Sequence, residues 1–355
     1  MNLFRDDLEN KPEIRVAVPI RQHMMCLNES SFNPMETLSR EIIESFDRIK
    51  INSYTSQVTS ELKQALAEYV GFGVDKSQFL FGNGVDEMLY FIFTAVREDK
   101  NSYLLSLAPS YFDYSTYSGS VGLNAKFMDF DSNFDFDENK YLHLLNHSDC
   151  KLGILCNPNN PTGHFLADAK ILYILKNTQK PIIIDETYYE FSGKTYSDKI
   201  KEFPNIIITR SFSKSFSAAG LRFGYIYSSV ENIRYLIRVI PVFNSNLVTQ
   251  TIALTFLKHK KVFEDFNKSI IANKGIMFEQ MSKYPQVKVL PSQTNFLTFS
   301  VSDKTVAFND YLLTKDISVR PVWAHPLLKN HLRVTVCSEE INNLFLGALD
   351  EFLKI

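Results

Sequence analysis

The chain has 355 residues, with 38 Lys and Arg against 40 Asp and Glu, and a formal net charge of −2. This balance argues against a nucleic-acid-binding protein with a broad basic face, and the absence of any run of about 18 apolar residues argues against a membrane span. Residues 1–7 are acidic and lack an apolar signal core, and the four cysteines show no metal-binding spacing, so we expect a cytoplasmic protein.

Short apolar runs alternate with helical patterns through the first two thirds of the chain. Residues 60–69 predict a capped amphipathic helix, and residues 85–96 predict an apolar helix that follows a turn at 82–84. Strands covered on both faces lack polar alternation. Such strand candidates lie at 79–81, 103–107, 152–156, 182–184 and 206–209. The alternation predicts an α/β protein with a mostly parallel sheet and helices on both faces.

From about residue 245 the pattern changes to a long helical stretch, roughly 247–281, followed by separated strands and a closing helix at 341–353. The strand candidates here are 287–290, 295–300, 317–320 and 332–336. This order, with few parallel crossovers, predicts a smaller α+β domain. We therefore expect three parts: an arm at 1–45 that packs on the smaller domain or on a neighbouring subunit, a large domain at 46–245, and the small domain at 246–355.

The loops that follow the predicted strands are unusual, and ligands of open α/β sheets bind at these carboxyl ends. The turn at 82–84 opens directly into a helix, which is typical either of phosphate binding or of an ordinary tight turn. The segment 157–163 combines three asparagines with two prolines and a glycine, which makes a rigid polar loop. Asp185 directly follows an apolar strand, where a carboxylate either caps the next segment or meets a cation.

A further loop places Lys214 among small hydroxyl residues, with Arg222 eight positions later. Such a lysine is either an amine nucleophile beside an anion site or a solvated side chain. His143 and His147 lie four apart on a predicted helix, but no acidic or cysteine ligand is identifiable nearby, so we predict no metal site.

Together and in this order, the loops resemble those of the fold-type I pyridoxal-phosphate enzymes, in the class I/II aminotransferase branch. Within that branch the sequence is similar to histidinol-phosphate aminotransferases and their threonine-phosphate decarboxylase relatives. The matching motifs are Asn157-Pro158-Asn159-Asn160-Pro161-Thr162-Gly163, Asp185-Glu186-Thr187-Tyr188, Ser211-Phe212-Ser213-Lys214 and Gly220-Leu221-Arg222-Phe223-Gly224. The resemblance implies the PLP-transferase fold type I with a seven-stranded sheet, and pyridoxal 5′-phosphate as the cofactor.

The resemblance also implies roles for individual residues. Lys214 would form the internal aldimine with the cofactor and then shuttle the proton in a 1,3-shift, while Asp185 would keep the pyridine nitrogen protonated. Asn160 and Tyr188 would hydrogen-bond the phenolic oxygen, and Tyr111 would stack on the ring. The cofactor phosphate would be held by Gly84, Val85, Asp86, Ser211, Ser213 and Arg222.

Substrate contacts follow from the same resemblance. Arg333 matches the arginine that binds the substrate carboxylate, and Asn295 would line the same pocket. Arg320 either binds a substrate phosphate or forms a surface salt bridge. Tyr54 matches a tyrosine that reaches the cofactor phosphate of the neighbouring subunit, which implies a homodimer.

Three functions remain open at this point. The first is an aminotransferase acting on a small phosphorylated or otherwise anionic amino substrate. The second is a decarboxylase of a phosphorylated amino acid, and the third is a non-catalytic module that binds the cofactor. Tyr188 favours the aminotransferases, since the threonine-phosphate decarboxylases tend to have Phe there. Two segments that shape the substrate mouth in the family differ here: its Asn-Glu-Asn-Pro-Tyr-Gly stretch is replaced by residues 28–34, and its proline after the Tyr54 position is Thr55. These differences put histidinol phosphate itself in question.

Overall fold

The computed structural model describes residues 5–9, 11, 18–54 and 56–354, so Thr55 lies outside the described residues. The α-helices, in chain order, are α1 (Met35–Ser45), α2 (Val58–Val70), α3 (Val85–Val96), α4 (Asp113–Ser120), α5 (Glu138–Leu145), α6 (Asp168–Lys176), α7 (Tyr189–Ser192), α8 (Val230–Leu236), α9 (Leu247–Lys258), α10 (Lys260–Ser282), α11 (Thr305–Thr314) and α12 (Glu339–Leu353). The strands are β1 (His23–Met24), β2 (Phe79–Asn83), β3 (Tyr103–Ala108), β4 (Asn124–Asp129), β5 (Cys150–Cys156), β6 (Ile182–Asp185), β7 (Ile206–Ser211), β8 (Phe223–Ser228), β9 (Val287–Val289), β10 (Phe296–Val301), β11 (Ile317–Ser318), β12 (Arg320–Pro321) and β13 (Leu332–Thr335).

Among the described residues, a seven-stranded sheet in the order β2-β8-β7-β6-β5-β3-β4 forms the centre of the molecule. The five strands from β7 to β4 in that order pair in parallel, whereas β8 runs antiparallel to both β7 and β2. The predicted mostly parallel seven-stranded sheet is confirmed. The carboxyl ends of β5, β6 and β7 therefore meet at one edge, which is where ligands of such sheets bind.

The central sheet is covered on both faces, as its continuous apolar strands predict. In β6, Ile182 and Ile184 pack into one hydrophobic cluster and Ile183 into another on the opposite face. All three side chains are fully buried, and each such burial contributes about 1.5–3 kcal/mol to the free energy of folding. This double layer holds the strand ends in a fixed position beneath the loops that carry the polar residues.

A second, antiparallel sheet in the order β12-β13-β10-β9 lies in the C-terminal part of the chain, with its own hydrophobic cluster against α10, α11 and α12. The short strand β1 pairs in parallel with β11. This pairing brings the N-terminal segment against the C-terminal part of the chain, where Met25 joins the same cluster.

Several boundaries differ from the sequence-based expectation. Gly82 and Asn83 are not a turn but the last residues of β2, because both pair with β8. The helix predicted at 60–69 is α2, which begins at Val58 without a side-chain cap. The stretch 247–281 is two helices, α9 and α10, because His259 leaves the helical conformation with φ −107° and ψ 23°. The strand expected at 317–320 is divided into β11 and β12.

The short strand β1 and two strands of the central sheet were not predicted, and one predicted helix is shorter. The edge strand β4 is mostly exposed, and β8 contains Gly224, so neither shows the expected continuous apolar run. Because α5 ends at Leu145, His147 lies outside the helix and does not share a helical face with His143. In the described part of the chain no helix has the length and apolar character needed to cross a membrane.

Candidate active site

Lys214 follows β7 in the loop at the carboxyl edge of the central sheet. Its amino group donates a hydrogen bond to the Leu27 carbonyl oxygen at 2.7 Å. Burial of the ammonium group, reinforced by the nearby charge of Arg333, lowers the pKa of Lys214 to about 8. A lysine with such a pKa is partly neutral near physiological pH, which an amine nucleophile requires.

Asp185 ends β6 and is 4 % exposed. One carboxylate oxygen, Oδ1, accepts hydrogen bonds from the Thr187 backbone amide at 3.1 Å, the Thr187 hydroxyl at 2.7 Å and the Thr209 hydroxyl at 3.0 Å. The other oxygen, Oδ2, accepts one from the hydroxyl of Tyr114 at 2.7 Å. A buried carboxylate with these donors is held in one orientation.

Tyr114 is a site residue that the sequence did not indicate. It is fully buried in α4 and packs edge-to-face against Tyr111, with ring centroids 5.3 Å apart. Burial and the Asp185 carboxylate raise the pKa of Tyr114 well above its usual value, so its hydroxyl keeps the proton that it donates. The available signal was its spacing of three residues from Tyr111, which lies two residues before α4 begins.

Tyr188 and Asn160 connect the loops of the central sheet with the N-terminal segment and with the C-terminal sheet. Tyr188 is 3 % exposed, and its hydroxyl accepts a hydrogen bond from Asn28 Nδ2 at 2.8 Å. Burial raises the pKa of Tyr188 above its usual value. Asn160 Oδ1 accepts a hydrogen bond from Arg333 Nη1 at 2.5 Å, which connects the loop after β5 with β13.

Arg333 is almost fully buried in β13. Its Nη2 donates to the Cys26 carbonyl oxygen at 3.0 Å, and its guanidinium lies 5.2 Å from the centre of the Phe296 ring. Its Nε is buried without a hydrogen-bond partner among the described residues. Asn295, also buried, donates from Nδ2 to the Asn28 carbonyl oxygen at 3.1 Å, while its Oδ1 has no partner there.

The N-terminus of α3 forms a cradle beside Arg222. Gly84, with φ 86°, turns the chain out of β2 into α3, whose first amides have no acceptor within the helix. Gly224 packs so closely that a Cβ there would lie 2.3 Å from the Val85 nitrogen. Arg222 pairs with the Asp86 carboxylate at 2.7 Å, so in this structure it contacts an acidic residue that the resemblance also assigns to the phosphate.

The remaining predicted site residues differ in burial and in the contacts that they make. Ser211 and Ser213 are buried at the end of β7, joined by a 3.1 Å hydrogen bond from the Ser213 amide to the Ser211 hydroxyl. Arg320 lies in β12, and its side chain makes neither an ion pair nor a hydrogen bond with another described residue, so the surface salt bridge is not present. Tyr54 is 78 % exposed and stacks on Phe243 at 4.9 Å, outside the contacts described above.

The N-terminal segment 26–30 also contacts the site; the resemblance placed residues 28–34 at the substrate mouth but did not indicate these contacts. Its contacts include Leu27 with Lys214 and Asn28 with Tyr188, and the Ser217 hydroxyl donates to that of Ser30 at 2.7 Å. These contacts join residues that are more than 150 positions apart. No local pattern reports such pairing.

Comparison with known proteins identifies the family. The family model for aminotransferase class I and II matches residues 22–349. A histidinol-phosphate aminotransferase from Thermoanaerobacter pseudethanolicus is 32 % identical over 353 residues, which cover 99 % of each chain. Since the match spans the whole length of both proteins, the two sequences are similar throughout and not only at the motifs.

Two solved structures share the fold. Histidinol-phosphate aminotransferase from Sinorhizobium meliloti, in complex with pyridoxal-5′-phosphate, has a TM-score of 0.86 at 20 % identity and covers 100 % of this chain and 98 % of its own. L-Threonine-O-3-phosphate decarboxylase from Porphyromonas gingivalis has a TM-score of 0.79 at 23 % identity, covering 94 % and 100 %. At these identities the likeness shows the fold alone.

The residues of this structure fit pyridoxal phosphate. The first amides of α3, beside Gly84 and the side-chain-free Gly224, suit an anion. The low-pKa amine of Lys214 suits the aldehyde, and the buried carboxylate of Asp185 suits a protonated ring nitrogen. The orphaned Nε of Arg333 leaves a donor for a carboxylate.

Proposed function

We propose that this chain, which belongs to the class I and II aminotransferase family and is a pyridoxal-phosphate-dependent aminotransferase, acts on a small amino substrate. That substrate carries phosphate or another anion. The observation that carries this proposal is the pair of arginines on adjacent strands. Arg320 is paired with Arg333 in the register of β12 and β13. Neither forms a salt bridge with another described residue, so both charges are available to an anionic substrate.

The proposed reaction gives separate roles to Lys214, Asp185 and Tyr188. When bound, pyridoxal phosphate supplies an electron sink for the bond broken at the substrate's α-carbon. Asp185 stabilises the proton on the pyridine nitrogen through its buried, oriented carboxylate. Lys214 holds the cofactor through its amino group and then carries the α-proton at Nζ. Tyr188 and Asn160 donate hydrogen bonds toward the phenolic oxygen.

The cradle at the N-terminus of α3 would bind the phosphate group of the cofactor. The first amides of α3, from Val85 and Asp86, would donate hydrogen bonds to the phosphate, and the hydroxyls of Ser211 and Ser213, at and just after the end of β7, would do the same. The Arg222 guanidinium joins them once it shares or leaves its pairing with the Asp86 carboxylate. That exchange replaces one partly exposed ion pair by another, so it costs little free energy.

Recognition of the substrate belongs to the C-terminal sheet and the N-terminal segment. Arg333 offers its fork to the substrate carboxylate, and Asn295 lines the same wall. Arg320 then binds the second anionic group, as a substrate of the histidinol-phosphate type requires. Tyr111, held at the mouth beside Tyr114, stacks on the cofactor ring.

We further propose a homodimer in which Tyr54 reaches the cofactor phosphate of the neighbouring subunit. Three apolar side chains around Tyr54 are strongly exposed: Ile51 at 84 %, Val242 at 86 % and Phe243 at 55 %. Exposed apolar groups of this density are typical of protein–protein contacts. Tyr54 stacks on Phe243, and Ile51 and Val242 lie close to these two residues along the chain.

Decarboxylation of a phosphorylated amino acid is the second candidate. The segment between β12 and β13 carries Trp323 and His325, somewhat as in the decarboxylase relatives, and His325 Nε2 lies 3.2 Å from Asp129 Oδ1 at the end of β4. The bond that lies perpendicular to the cofactor ring is the one that breaks, so the substrate's orientation selects the reaction. A tyrosine at position 188 favours amino transfer.

The test is a substrate panel on the cofactor-loaded protein, read from the cofactor's absorbance band. Histidinol phosphate, the phosphates of threonine and serine, and aromatic amino acids are each added with and without a keto-acid acceptor. Amino transfer predicts loss of the band without acceptor and its return with acceptor. Release of carbon dioxide with no need of an acceptor would instead establish the decarboxylase, and no response to any anionic substrate would contradict the proposal.

A further inference from the structure

Asn28 lies in the N-terminal segment and contacts the active site from an unusual backbone conformation. It is 2 % exposed, and its φ of 55° falls in the left-handed region. Asparagine accepts this region more readily than other residues with a side chain, apart from aspartate. Such a conformation persists when the surroundings determine it on several sides, and it is frequent at functional sites.

The backbone of Asn28 is anchored on both sides. Its amide donates to the Thr335 hydroxyl at 3.0 Å, and its carbonyl oxygen accepts from Asn295 Nδ2 at 3.1 Å. Both partners belong to the C-terminal part of the chain: Thr335 lies in β13, which also carries Arg333, and Asn295 directly precedes β10, which pairs with β13. The side chain is therefore not needed to hold the segment in place, and its role has to be sought elsewhere.

The side chain of Asn28 makes one hydrogen bond, and its direction matters. Nδ2 donates to the Tyr188 hydroxyl oxygen at 2.8 Å, whereas Oδ1 is buried without a partner among the described residues. An amide nitrogen has no lone pair to accept with, so the tyrosine oxygen is the acceptor in this contact. The hydroxyl proton of Tyr188 is then left for a different acceptor.

We propose that Asn28 is a positioning residue that directs the Tyr188 hydroxyl proton toward the phenolic oxygen of the cofactor. The inference rests on the proposed role of Tyr188. The hydroxyl of Tyr188 has one proton and rotates about one bond, so occupying its lone pair from the Asn28 side selects the rotamer whose proton faces the cleft. Asn28 touches neither cofactor nor substrate in this role.

The consequence is measurable without turnover. A hydrogen bond to the phenolic oxygen stabilises its ionised form, and this lowers the pH at which the cofactor's absorbance band changes. Loss of the directing contact weakens that hydrogen bond. The measured pKa of the band then rises, by about 0.5–1 for a hydrogen bond of ordinary net strength.

The experiment is a pH titration of the absorbance band in the cofactor-loaded, substrate-free protein for a double-mutant cycle of Asn28→Gly and Tyr188→Phe. Glycine accepts the left-handed conformation and keeps both backbone hydrogen bonds, so only the side-chain contact is lost. We expect Asn28→Gly to raise the pKa in the wild-type background and to have no effect in the Tyr188→Phe background. Asn330→Gly, at another asparagine with φ 61°, is the matched control and leaves the pKa unchanged.

The other outcomes separate the inference from the proposed function. An unchanged pKa in Asn28→Gly, or an equal rise in both backgrounds, would overturn the inference while leaving the aminotransferase and its substrate class intact. An unchanged pKa in Tyr188→Phe would overturn the role of Tyr188 and the inference together. If Asn28→Gly does not fold, Asn28→Asp replaces it, because its carboxylate would capture the Tyr188 proton, and the difference between the two backgrounds is again the result.

Discussion

At the scale of single residues, the ionisation of Lys214 is set by its surroundings. A lysine in water has a pKa near 10.4, and the buried position beside Arg333 brings that of Lys214 to about 8. At pH 7 about one tenth of the molecules then carry the neutral amine, against fewer than about one in a thousand for an ordinary lysine. The protein thus prepares a nucleophile before any ligand arrives.

This ionisation predicts the pH dependence of cofactor capture by the cofactor-free protein. Capture requires the neutral amine, and the lowered pKa means that the neutral form is gained as pH rises through about 8. We expect the capture rate, measured by the appearance of the cofactor's absorbance, to rise about tenfold per pH unit below 8 and to level off above it. A rate that keeps rising to pH 10 would contradict the burial argument.

Tyr114 gives a second prediction at this scale. Tyr114→Phe removes the only hydrogen bond that Asp185 Oδ2 accepts from a described residue. Hydrogen bonds to charged groups contribute about 1.5–3 kcal/mol, so we expect the equilibrium constant for cofactor dissociation to rise about 10- to 100-fold. Tyr90→Phe, a tyrosine 38 % exposed on α3, is the control; equal affinity in both variants would exclude a role for Tyr114.

Residues differ in how far the sequence predicts them. Asp185 ends β6, and Asn160 and Lys214 lie within four residues of a strand end. Their positions marked them as candidates, and the family resemblance supplied their roles. Tyr114 and Asn28 act through partners 71 and 160 positions away. Their contacts arise only when the sheet and the N-terminal segment come together, so no local pattern indicates the contacts themselves.

At the scale of elements, the close approach of β8 to the start of α3 shapes the phosphate cradle. Gly224 makes that approach possible, because a Cβ there would lie 2.3 Å from the Val85 nitrogen and 2.5 Å from the Gly84 carbonyl carbon. These atoms are backbone and do not yield as a flexible side chain would. The glycine is therefore required by packing and not by its own dihedral angles.

Gly224→Ala tests this packing. The added methyl group must push β8 from the cradle, so we expect a loss of about 2 kcal/mol in the free energy of unfolding together with weaker cofactor binding. Gly220→Ala is the matched control, since a Cβ at Gly220 meets nothing within 4 Å. Denaturant unfolding and equilibrium dialysis with pyridoxal phosphate measure the two effects; equal behaviour of both variants would refute the close-contact account.

The hydrophobic pattern of the sequence predicts some of these elements and not others. The fully buried strands β3, β5, β6 and β7 are continuous apolar runs and were predicted with ends within about two residues. The exposed edge strand β4 and the glycine-containing β8 lack that run, and their pairing partners decide their conformation. The break at His259 between α9 and α10 likewise lacks the glycine or proline that a sequence pattern relies on.

At the scale of the whole molecule, a net charge of −2 hides a local concentration of positive charge. The Arg333 charge acts on Lys214, Arg320 is paired in register with Arg333, and the proposed function assigns Arg222 to the phosphate end of the same cleft. The near balance of positive and negative charges over the whole chain therefore argues against a broad basic surface for nucleic acid, but not against a small anionic substrate. The division of the chain at residues 45 and 245 stays a prediction.

The proposed homodimer predicts a dependence of activity on assembly. Val242→Asp places a charge in the exposed apolar surface around Tyr54, so we expect monomers in sedimentation velocity and a loss of amino transfer, because no partner then supplies Tyr54. Ile276→Asp, at an apolar residue of α10 with 53 % exposure, is the control and stays dimeric. A monomeric wild-type protein with full activity would contradict the shared site.

The most direct measurement of the central claim is a single-turnover experiment on the cofactor-loaded protein with histidinol phosphate or another anionic amino substrate that responds in the panel. Wild-type protein should lose the cofactor's absorbance band in step with formation of one keto product per site. Lys214→Ala should show neither change, while Lys274→Ala, at the other buried lysine whose pKa is lowered to about 8, should retain both. Full conversion by Lys214→Ala would contradict the account.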